Sequence, residues 1–421
     1  MINIAIVGVG TVGCSVANIL ENNKELLSAR AGKELRIVKG VVRDLSRKRD
    51  VSIPLTDDID EVLNDDSIDI IVELMGGVDK PYEVVKKALE KNKAVVTANK
   101  ALLAYHRYEL QKIAGDLPIG YEASVAGGIP IINALKVGLS ANKILAIKGI
   151  INGTCNYMLT KMINEGVEFD TILKEAQELG YAEADPTFDI GGFDAGHKLL
   201  ILASIAYGID AKPEEILIEG IEDINQDDIA FAKEFGYSIK LLAIAKKCDE
   251  SIELRVHPVL IKDDQMIAKV DGVMNGISVI GDFVGETLYY GAGAGGDATA
   301  SAVVSDIVEI VRAGKSSPML GFKKPFKSEN LKLMPTDEIK SKYYLRMSVQ
   351  DEKGVLGKLA KTLGDSNISI DTFLQKPVGE NEAMLLFSTH TCLEKEIKVA
   401  IKTIEDFDFV TKKVSMIRIE E

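Results

Sequence analysis

The chain has 421 residues, 46% of them hydrophobic, a formal net charge of −14, and no uninterrupted apolar stretch as long as a membrane span. That length implies roughly two to four domains, and the acidic balance argues against a general affinity for phosphate backbones, so small molecules are expected as partners rather than nucleic acid or membrane. The amino terminus MINIAIVGVG lacks a basic leader, and Cys14, Cys155, Cys248 and Cys392 form no C-x-x-C pair. A cytoplasmic protein with reduced thiols, no disulfide framework and no zinc site is therefore expected.

In chain order, Ile2 to Val7 is a short apolar strand, and Thr11 to Leu27 reads as a helix entered through glycines. Apolar runs at Leu35 to Val42, Ile68 to Leu74 and Ala94 to Thr97 then alternate with helical patterns such as Tyr82 to Glu90. Strands separated by helices predict an α/β fold with a doubly wound parallel sheet. After about residue 130 the rhythm changes, with a helix-like Ile129 to Leu139 and a strand-like Ile144 to Ile151. Helical patterns follow at Glu168 to Leu179 and Ala195 to Ala206, and then strand-like pieces at Ile252 to Val259, Met266 to Val270 and Ile277 to Val284, which together read as an α+β domain.

Pro318, Pro325 and Pro335, set among lysines, mark 318–342 as an extended linker. Beyond it come a strand at Tyr343 to Val349, a helix at Val355 to Leu363, strands at Ile368 to Gln375 and Ala383 to Thr389, a helix at Leu393 to Ile404, and a strand near Val410 to Ile417. That order is βαββαβ, the ferredoxin-like arrangement. The expected divisions are 1–130 for dinucleotide binding, with its last elements returning near 295–317, then 131–317 for substrate binding, catalysis and dimerisation, and 343–421 for the tail module.

Gly8, Gly10 and Gly13 spell G-x-G-x-x-G between the first strand and the first helix. In that position the first glycine permits the tight turn, the second leaves room for a pyrophosphate, and the third lets helix and sheet pack closely, while the helix amides attract phosphate charge. A Rossmann domain binding a nicotinamide dinucleotide is the expectation, against a plain glycine turn. The second strand ends at Arg43, with Arg47, Lys48 and Arg49 in the next turn, so the 2′-phosphate of NADP would meet cations. NADP is favoured over NAD, although Asp44 is adjacent and a basic turn is often only a solvated face.

The segment Ala176 to Lys198, AQELGYAEADPTFDIGGFDAGHK, concentrates Glu183, Asp185, Asp189, Asp194 and Lys198. Asp194 and Lys198 are four apart, so they share a helix face, and Lys198 opens the apolar run LLILASIAYG, which places its ammonium against a lined cavity. Burial lowers such a lysine's pKa and a carboxylate raises it, a balance that suits proton exchange with a substrate oxygen. The alternative is a surface ion pair of little energetic consequence.

At these residues the sequence resembles the homoserine dehydrogenase family. The shared pattern is A-x-x-x-G-Y-A followed by D-P-x-x-D-I-x-G-x-D-x-x-x-K, carried by Ala176, Gly180, Tyr181, Ala182, Asp185, Pro186, Asp189, Ile190, Gly192, Asp194 and Lys198. VVTANK at Val95 to Lys100, YEASVAGGIP at Tyr121 to Pro130, NGTCNYML at Asn152 to Leu159 and GAGAGGDATASAVVSD at Gly291 to Asp306 extend the likeness over residues 1 to about 320.

The resemblance implies reversible NAD(P)-dependent interconversion of L-homoserine and L-aspartate 4-semialdehyde, a step of threonine, methionine and isoleucine biosynthesis. It implies Lys198 as proton donor, Lys100 as an assisting cation near substrate and nicotinamide, and Asp194 as the residue holding hydroxyl and lysine in place. Glu183 would take the substrate ammonium, with Asp189, Thr154 and Tyr181 as further substrate-site residues. Thr11, Val12, Lys100, Gly180 and Gly295 join the glycine loop and Arg43 as cofactor positions. Backbone carbonyls of Glu122, Val125, Gly127 and Ile129 would hold sodium or another monovalent cation, a hard ion suited to carbonyl oxygens, unless the loop is only an inter-domain turn. A homodimer or higher homo-oligomer is implied, and no fused kinase region is expected ahead of the nucleotide loop.

The tail resembles an ACT domain through VQDEKGVLGKLAKTLGDSNISI, with Gly354 and Asn367 at the expected effector turn and loop and Lys353 where that family often has proline. An amino-acid effector such as threonine is the expectation, against a dimerisation module without a ligand. His106, His197, His257 and His390 have no ligand spacing, so His197 is read as structural and no catalytic metal is assigned. Two other readings stay open: a semialdehyde dehydrogenase using Cys155, in a loop-like stretch, as its thiol nucleophile, and an amino-acid sensor without turnover.

Overall fold

The computed structural model describes residues 1–314, 318–324, 331–379 and 381–420. Pro325 of the expected linker, and the expected division at 317, fall outside those residues. The chain forms two compact units, one of Met1–Gly153, Asp194–Glu215 and Val273–Leu331, the other of Thr154–Phe193, Ile216–Gly272 and Lys332–Glu421.

In the first unit, β1 (Ile2–Val7), β2 (Leu35–Val41), β3 (Leu55–Thr56), β4 (Ile70–Glu73), β5 (Ala94–Thr97) and β6 (Ile119–Gly120) form a sheet in the order β3-β2-β1-β4-β5-β6. Its pairings are all parallel, and β1 pairs with both β2 and β4. The strands read as continuous apolar runs because both sheet faces are covered, and Ile4, Ala5, Ile6, Ile71, Val72, Val95 and Val96 are buried. The strand order reverses beside β1, which opens a crevice at the carboxyl edge of the sheet, the place where open α/β sheets bind ligands. The helix Gly296–Ala313 returns to this core, placing Ala300, Val303, Val304 and Ile307 with Val16, Ala17 and Leu20 of the first helix, α1 (Thr11–Asn22). Strands Ile144–Ile150, Met274–Gly281 and Gly285–Ala292 form an antiparallel set in the same unit.

In the second unit, Tyr237–Cys248 and Ser251–Lys262 make a long antiparallel hairpin. Ser251–Lys262 pairs in parallel with Ser415–Glu420, which continues through Lys340–Gln350 and Glu382–Thr389 to Ile370–Pro377. With helices Val355–Asp365 and Glu394–Glu405, the last part is the βαββαβ module, its core built on Leu345, Leu359, Leu385, Phe387 and Ile397. Arg418, almost fully buried, gives hydrogen bonds to both Glu219 and Glu394, tying the module's last strand to the segment before Gln226–Glu234.

Several elements differ from the sequence reading. The first helix breaks at Asn23 and resumes as Lys24–Ala31. Met266 to Val270, expected as a strand, is a 3₁₀ turn at Met266–Lys269 with Ile267 and Ala268 buried, because a short apolar run between turn residues fits either conformation. The strand expected to reach Val284 stops at Gly281, and residues 282–284 turn into a further strand, Gly285–Ala292. Cys155, expected in a loop, lies in the helix Gly153–Glu165. The expected linker contains Lys332–Leu333, paired with Ser251 and Ile252, and its end is already strand from Lys340.

Candidate active site

The dinucleotide loop follows β1 directly. Gly8 sits at φ +105°, and a Cβ there would lie 2.7 Å from the Leu74 carbonyl, while one on Gly13 would strike the Gly8 carbonyl oxygen. Gly10 is different, since a Cβ there would meet no atom within 4 Å. The first and third glycines are thus required by the protein's own packing, and the second faces open space where a ligand backbone can approach. That space is a cavity of about 750 Å³ lined by residues that include Gly8, Gly10, Thr11, Arg43, Leu74 and Met75. Its residues fit a dinucleotide: a glycine cradle, a helix amino terminus and cations along one rim. Val12 is on α1 beside the loop, and Gly295, at φ +118°, precedes the helix Gly296–Ala313.

The basic turn divides on inspection. Arg43, Arg47 and Lys48 are exposed and line the cavity. Arg49 instead gives Nε–H to the Val9 carbonyl at 2.9 Å, and its Nη1 reaches the carbonyls of Asp44 and Arg47, so it fastens the turn to the glycine loop. One Asp44 oxygen accepts from both the Ser46 hydroxyl at 2.6 Å and the Ser46 amide at 2.8 Å, and these bonds lower the carboxyl's pKa.

Asp194 organises a buried polar cluster in the same unit. Lys100, first residue of the helix Lys100–Ala114, places Nζ 2.7 Å from one Asp194 oxygen, and Lys198 places Nζ 2.7 Å from the other. Lys198 Nζ also donates to the Ile151 carbonyl at 2.7 Å, and Asn152 Nδ2 donates to Asp194 at 2.9 Å. Asp194 is 2% exposed and Lys198 9%. Burial by itself pushes the Asp194 carboxyl up, but the ammoniums of Lys198 and Lys100 overcome this and hold it well below the usual range. The spacing of four on Phe193–Tyr207 aligns Asp194 with Lys198, and Asn99, which caps the other helix by accepting from the Leu102 amide, fixes where Lys100 begins. The His197 ring packs edge-on against Tyr105, whose hydroxyl donates to Glu214. Burial lowers the His197 pKa.

The other expected substrate-site residues, Thr154, Tyr181, Glu183 and Asp189, lie in the second unit with Gly180, Cys155, Gly354 and Asn367. The Thr154 hydroxyl donates to the Tyr181 carbonyl at 2.6 Å, and the Tyr181 ring packs edge-on against Tyr157. Glu183 is exposed, Gly180 takes φ +75° after the helix Phe169–Glu178, and Asp189 lies in the short helix Thr187–Ile190. The fully buried Cys155 thiol donates to the Asp189 carbonyl, which is not the setting of an exposed nucleophile. Gly354 and Asn367 both take left-handed φ, and Asn367 Nδ2 donates to Glu396.

In the loop expected to hold a cation, Ala126 and Gly127 take successive positive φ, and a Cβ on Gly127 would lie 2.7 Å from the Gly293 carbonyl oxygen. The Glu122 carbonyl accepts from the Val125 amide at 3.4 Å, that of Ile129 accepts from the Ile131 amide at 2.8 Å, and the Glu122 carboxylate accepts from the amides of Ile132 and Asn133. Among the described residues no cluster of three or more His, Cys, Asp or Glu has metal-holding geometry. No helix among them is long and apolar enough to cross a membrane.

Sequence reasoning assigned no part to Asn152 or the Ile151 carbonyl, which complete the lysine cluster, although NGTCNYML had singled out the first of them. Nothing in the spacing shows that Lys100 and Lys198 share one carboxylate.

A glycine cradle at a sheet's switch point, together with a buried lysine-carboxylate cluster, defines an NAD(P)-dependent oxidoreductase. Family models named "Homoserine dehydrogenase, NAD binding domain", "Homoserine dehydrogenase" and "ACT domain" match residues 8–116, 130–308 and 343–409. The chain is 58% identical to the homoserine dehydrogenase of Helicobacter pylori over all of this chain and 99% of that one, and 46% identical to that of Neisseria gonorrhoeae over all of this chain and 98% of that one. The solved homoserine dehydrogenase of Thiobacillus denitrificans superposes with a TM-score of 0.92 at 44% identity, covering 100% of this chain and 98% of that one. A hyperthermophilic archaeal homoserine dehydrogenase in complex with NADPH superposes with a TM-score of 0.63 at 30% identity, covering 73% of this chain and 97% of that one. The chain belongs to the homoserine dehydrogenase family.

Proposed function

We propose that the protein interconverts L-homoserine and L-aspartate 4-semialdehyde with NADP as the preferred cofactor, as a cytoplasmic homodimer serving threonine, methionine and isoleucine synthesis. The observation that carries the chemistry is Asp194 bridging Lys100 and Lys198. When bound, the nicotinamide supplies or accepts the hydride. As charge develops on the aldehyde oxygen, Lys198 gives it a proton, and in the oxidising direction the Lys198 amine takes the hydroxyl proton back. Lys100 adds a second positive charge toward the developing alkoxide, and Asp194, held as a carboxylate, keeps both lysines oriented. Glu183 receives the substrate ammonium, with Asp189, Thr154 and Tyr181 completing the substrate site.

Gly8, Gly10, Thr11, Val12 and Gly13 hold the pyrophosphate, with Gly180, Gly295 and Lys100 as further cofactor contacts. Arg43 takes the 2′-phosphate. Three things favour NADP: cations at the cavity rim, an Asp44 oxygen occupied by Ser46, and NADPH in the solved archaeal relative. The Tyr121 to Pro130 loop holds sodium or a similar cation on the carbonyls of Glu122, Val125, Gly127 and Ile129, and replacing sodium by a large organic cation should lower activity. The ACT module binds an amino-acid effector near Gly354 and Asn367. The decisive experiment follows homoserine-dependent reduction of NADP and of NAD in the parent and in Lys198→Ala. Loss of nearly all turnover with NADPH affinity kept is expected, and parent-like turnover in the variant defeats the assignment.

A further inference from the structure

Val7, Glu73 and Thr97 stand side by side at the carboxyl ends of β1, β4 and β5. The chain runs on from Val7 into the glycine loop, from Glu73 into Leu74 to Gly77, and from Thr97 through Asn99 into the helix that opens with Lys100. Glu73 is fully buried. One of its oxygens accepts from the Met75 amide at 2.7 Å and the other from the Thr97 hydroxyl at 2.6 Å. The same hydroxyl accepts from the Asn99 amide, and Asn99 Nδ2 donates to the carbonyls of Met75 and Gly77. Leu74 in turn donates its amide to the Val7 carbonyl and packs where a Cβ on Gly8 would stand.

Among the described residues no ion pair reaches this carboxyl. Burial outweighs the hydrogen bonds from Thr97, Met75 and Asn99 and raises its pKa to about 7. A buried carboxyl without a cation is costly to keep, and an apolar side chain would fill the same space without that penalty. What an apolar residue lacks is acceptor capacity, and here two acceptor oxygens satisfy donors from the loop after β4 and from the end of β5.

We infer that Glu73 is a positioning residue that joins the Leu74 to Gly76 wall of the dinucleotide cavity to the cap of the Lys100 helix, setting cofactor affinity and Lys100 placement together. The part concerning Lys100 rests on the catalytic reading above; the part concerning the cavity wall is read without turnover. Glu73→Leu removes both acceptors at similar size. Glu73→Gln keeps an acceptor for Met75 and offers an amide donor to the Thr97 oxygen.

The experiment compares these full-length variants with the parent by calorimetric titration with NADPH, steady-state kinetics and thermal melting. Each lost hydrogen bond is worth about fivefold to tenfold, so Glu73→Leu should raise the NADPH dissociation constant and lower kcat by about tenfold or more, leaving the KM for homoserine within about threefold. Glu73→Gln should restore both to within about threefold of the parent. A purely structural role would lower the melting temperature and the active fraction without moving NADPH affinity, and that result overturns the proposal. So does a Glu73→Gln variant as impaired as Glu73→Leu. Should Glu73→Leu fail to fold, Thr97→Val, which cuts only the hydroxyl bridge, decides: parent-like NADPH affinity and kcat overturn the proposal. Absence of homoserine turnover in the parent would defeat the catalytic reading while leaving the NADPH comparison intact.

Discussion

Asp194→Asn keeps the shape of the side chain and removes its charge. In the parent each Asp194 oxygen lies 2.7 Å from a lysine nitrogen, and the Lys198 side chain is 11% exposed against 36% for that of Lys100. Removing one partner of a buried pair costs about 3–5 kcal/mol, and that range applies to Lys198. The Lys100 pair is partly solvated and adds about 1 kcal/mol or less. The total of about 3–6 kcal/mol should lower the melting temperature by roughly 6–24 °C, at about 2–4 °C per kcal/mol. The loss of activity should be larger, because Asn turns an N–H toward one ammonium and neither lysine keeps its position: kcat should fall by about 10²-fold or more, the range of a lost general-acid contribution. The dinucleotide cavity is lined by other residues and Lys100 is the one proposed cofactor contact that moves, so NADPH affinity should fall by about tenfold at most. The pH dependence has a definite sign. A carboxyl whose folded pKa is depressed contributes stability above its ordinary value near 3.8 and loses it as pH falls below, so the acid-side decline of the parent's melting temperature should be shallower in Asp194→Asn. Homoserine kinetics, NADPH titration and melting curves on the same preparations test all three. A kcat within about tenfold of the parent, or NADPH affinity falling as far as kcat, would refute the reasoning.

Arg43→Ala should raise the KM for NADPH by about tenfold or more and leave that for NADH nearly unchanged; equal constants for both cofactors in the parent would defeat the NADP preference. Asp306 is buried beside Glu122, and desolvation first, then the Glu122 charge, raises its pKa to about 8. Between about pH 4 and 8 the folded state therefore holds a proton that the unfolded state has released, so stability falls as pH rises through that window, and Asp306→Asn should flatten the fall in melting temperature between about pH 5 and 8. Titrating activity with threonine and related amino acids should give a saturable inhibition curve; a flat response to all of them would leave the ACT module as a structural element without a ligand.

Much of the fold was legible because its signals are local. The glycine loop is a backbone requirement met within six residues, and the alternation of buried strands with helices up to Thr97 was plain from apolar runs. The signals failed where tertiary contacts override composition. Tyr237–Cys248 went unread as a strand because Lys240 breaks its apolar run, yet Lys240 is buried, with its ammonium on Asp271 and on the Val270 carbonyl. Arg49 read as a free cation for the same reason in reverse, since sequence cannot show a guanidinium spent on backbone carbonyls. In the site, the Asp194 and Lys198 pair follows from helical spacing, whereas the Lys100 partnership depends on how distant elements meet.

Among the described residues the first unit buries the carboxyl groups of Asp194, Glu73, Glu122 and Asp306, and their surroundings push their pKa values apart. Asp194, between two ammoniums, is held well below the usual range; Glu73, among neutral donors, is raised to about 7; Asp306, next to another carboxylate, is raised to about 8. Only the first contacts the lysines, and it is the one least able to carry a proton at neutral pH. A protonatable carboxylic acid at that position would compete with Lys198 for the proton that the substrate oxygen needs. A carboxylate that stays ionised cannot compete, and it keeps its acceptor oxygens on both amines throughout the reaction. In the proposed reaction the division of labour is therefore set by environment: Asp194 orients, and the mobile proton belongs to Lys198.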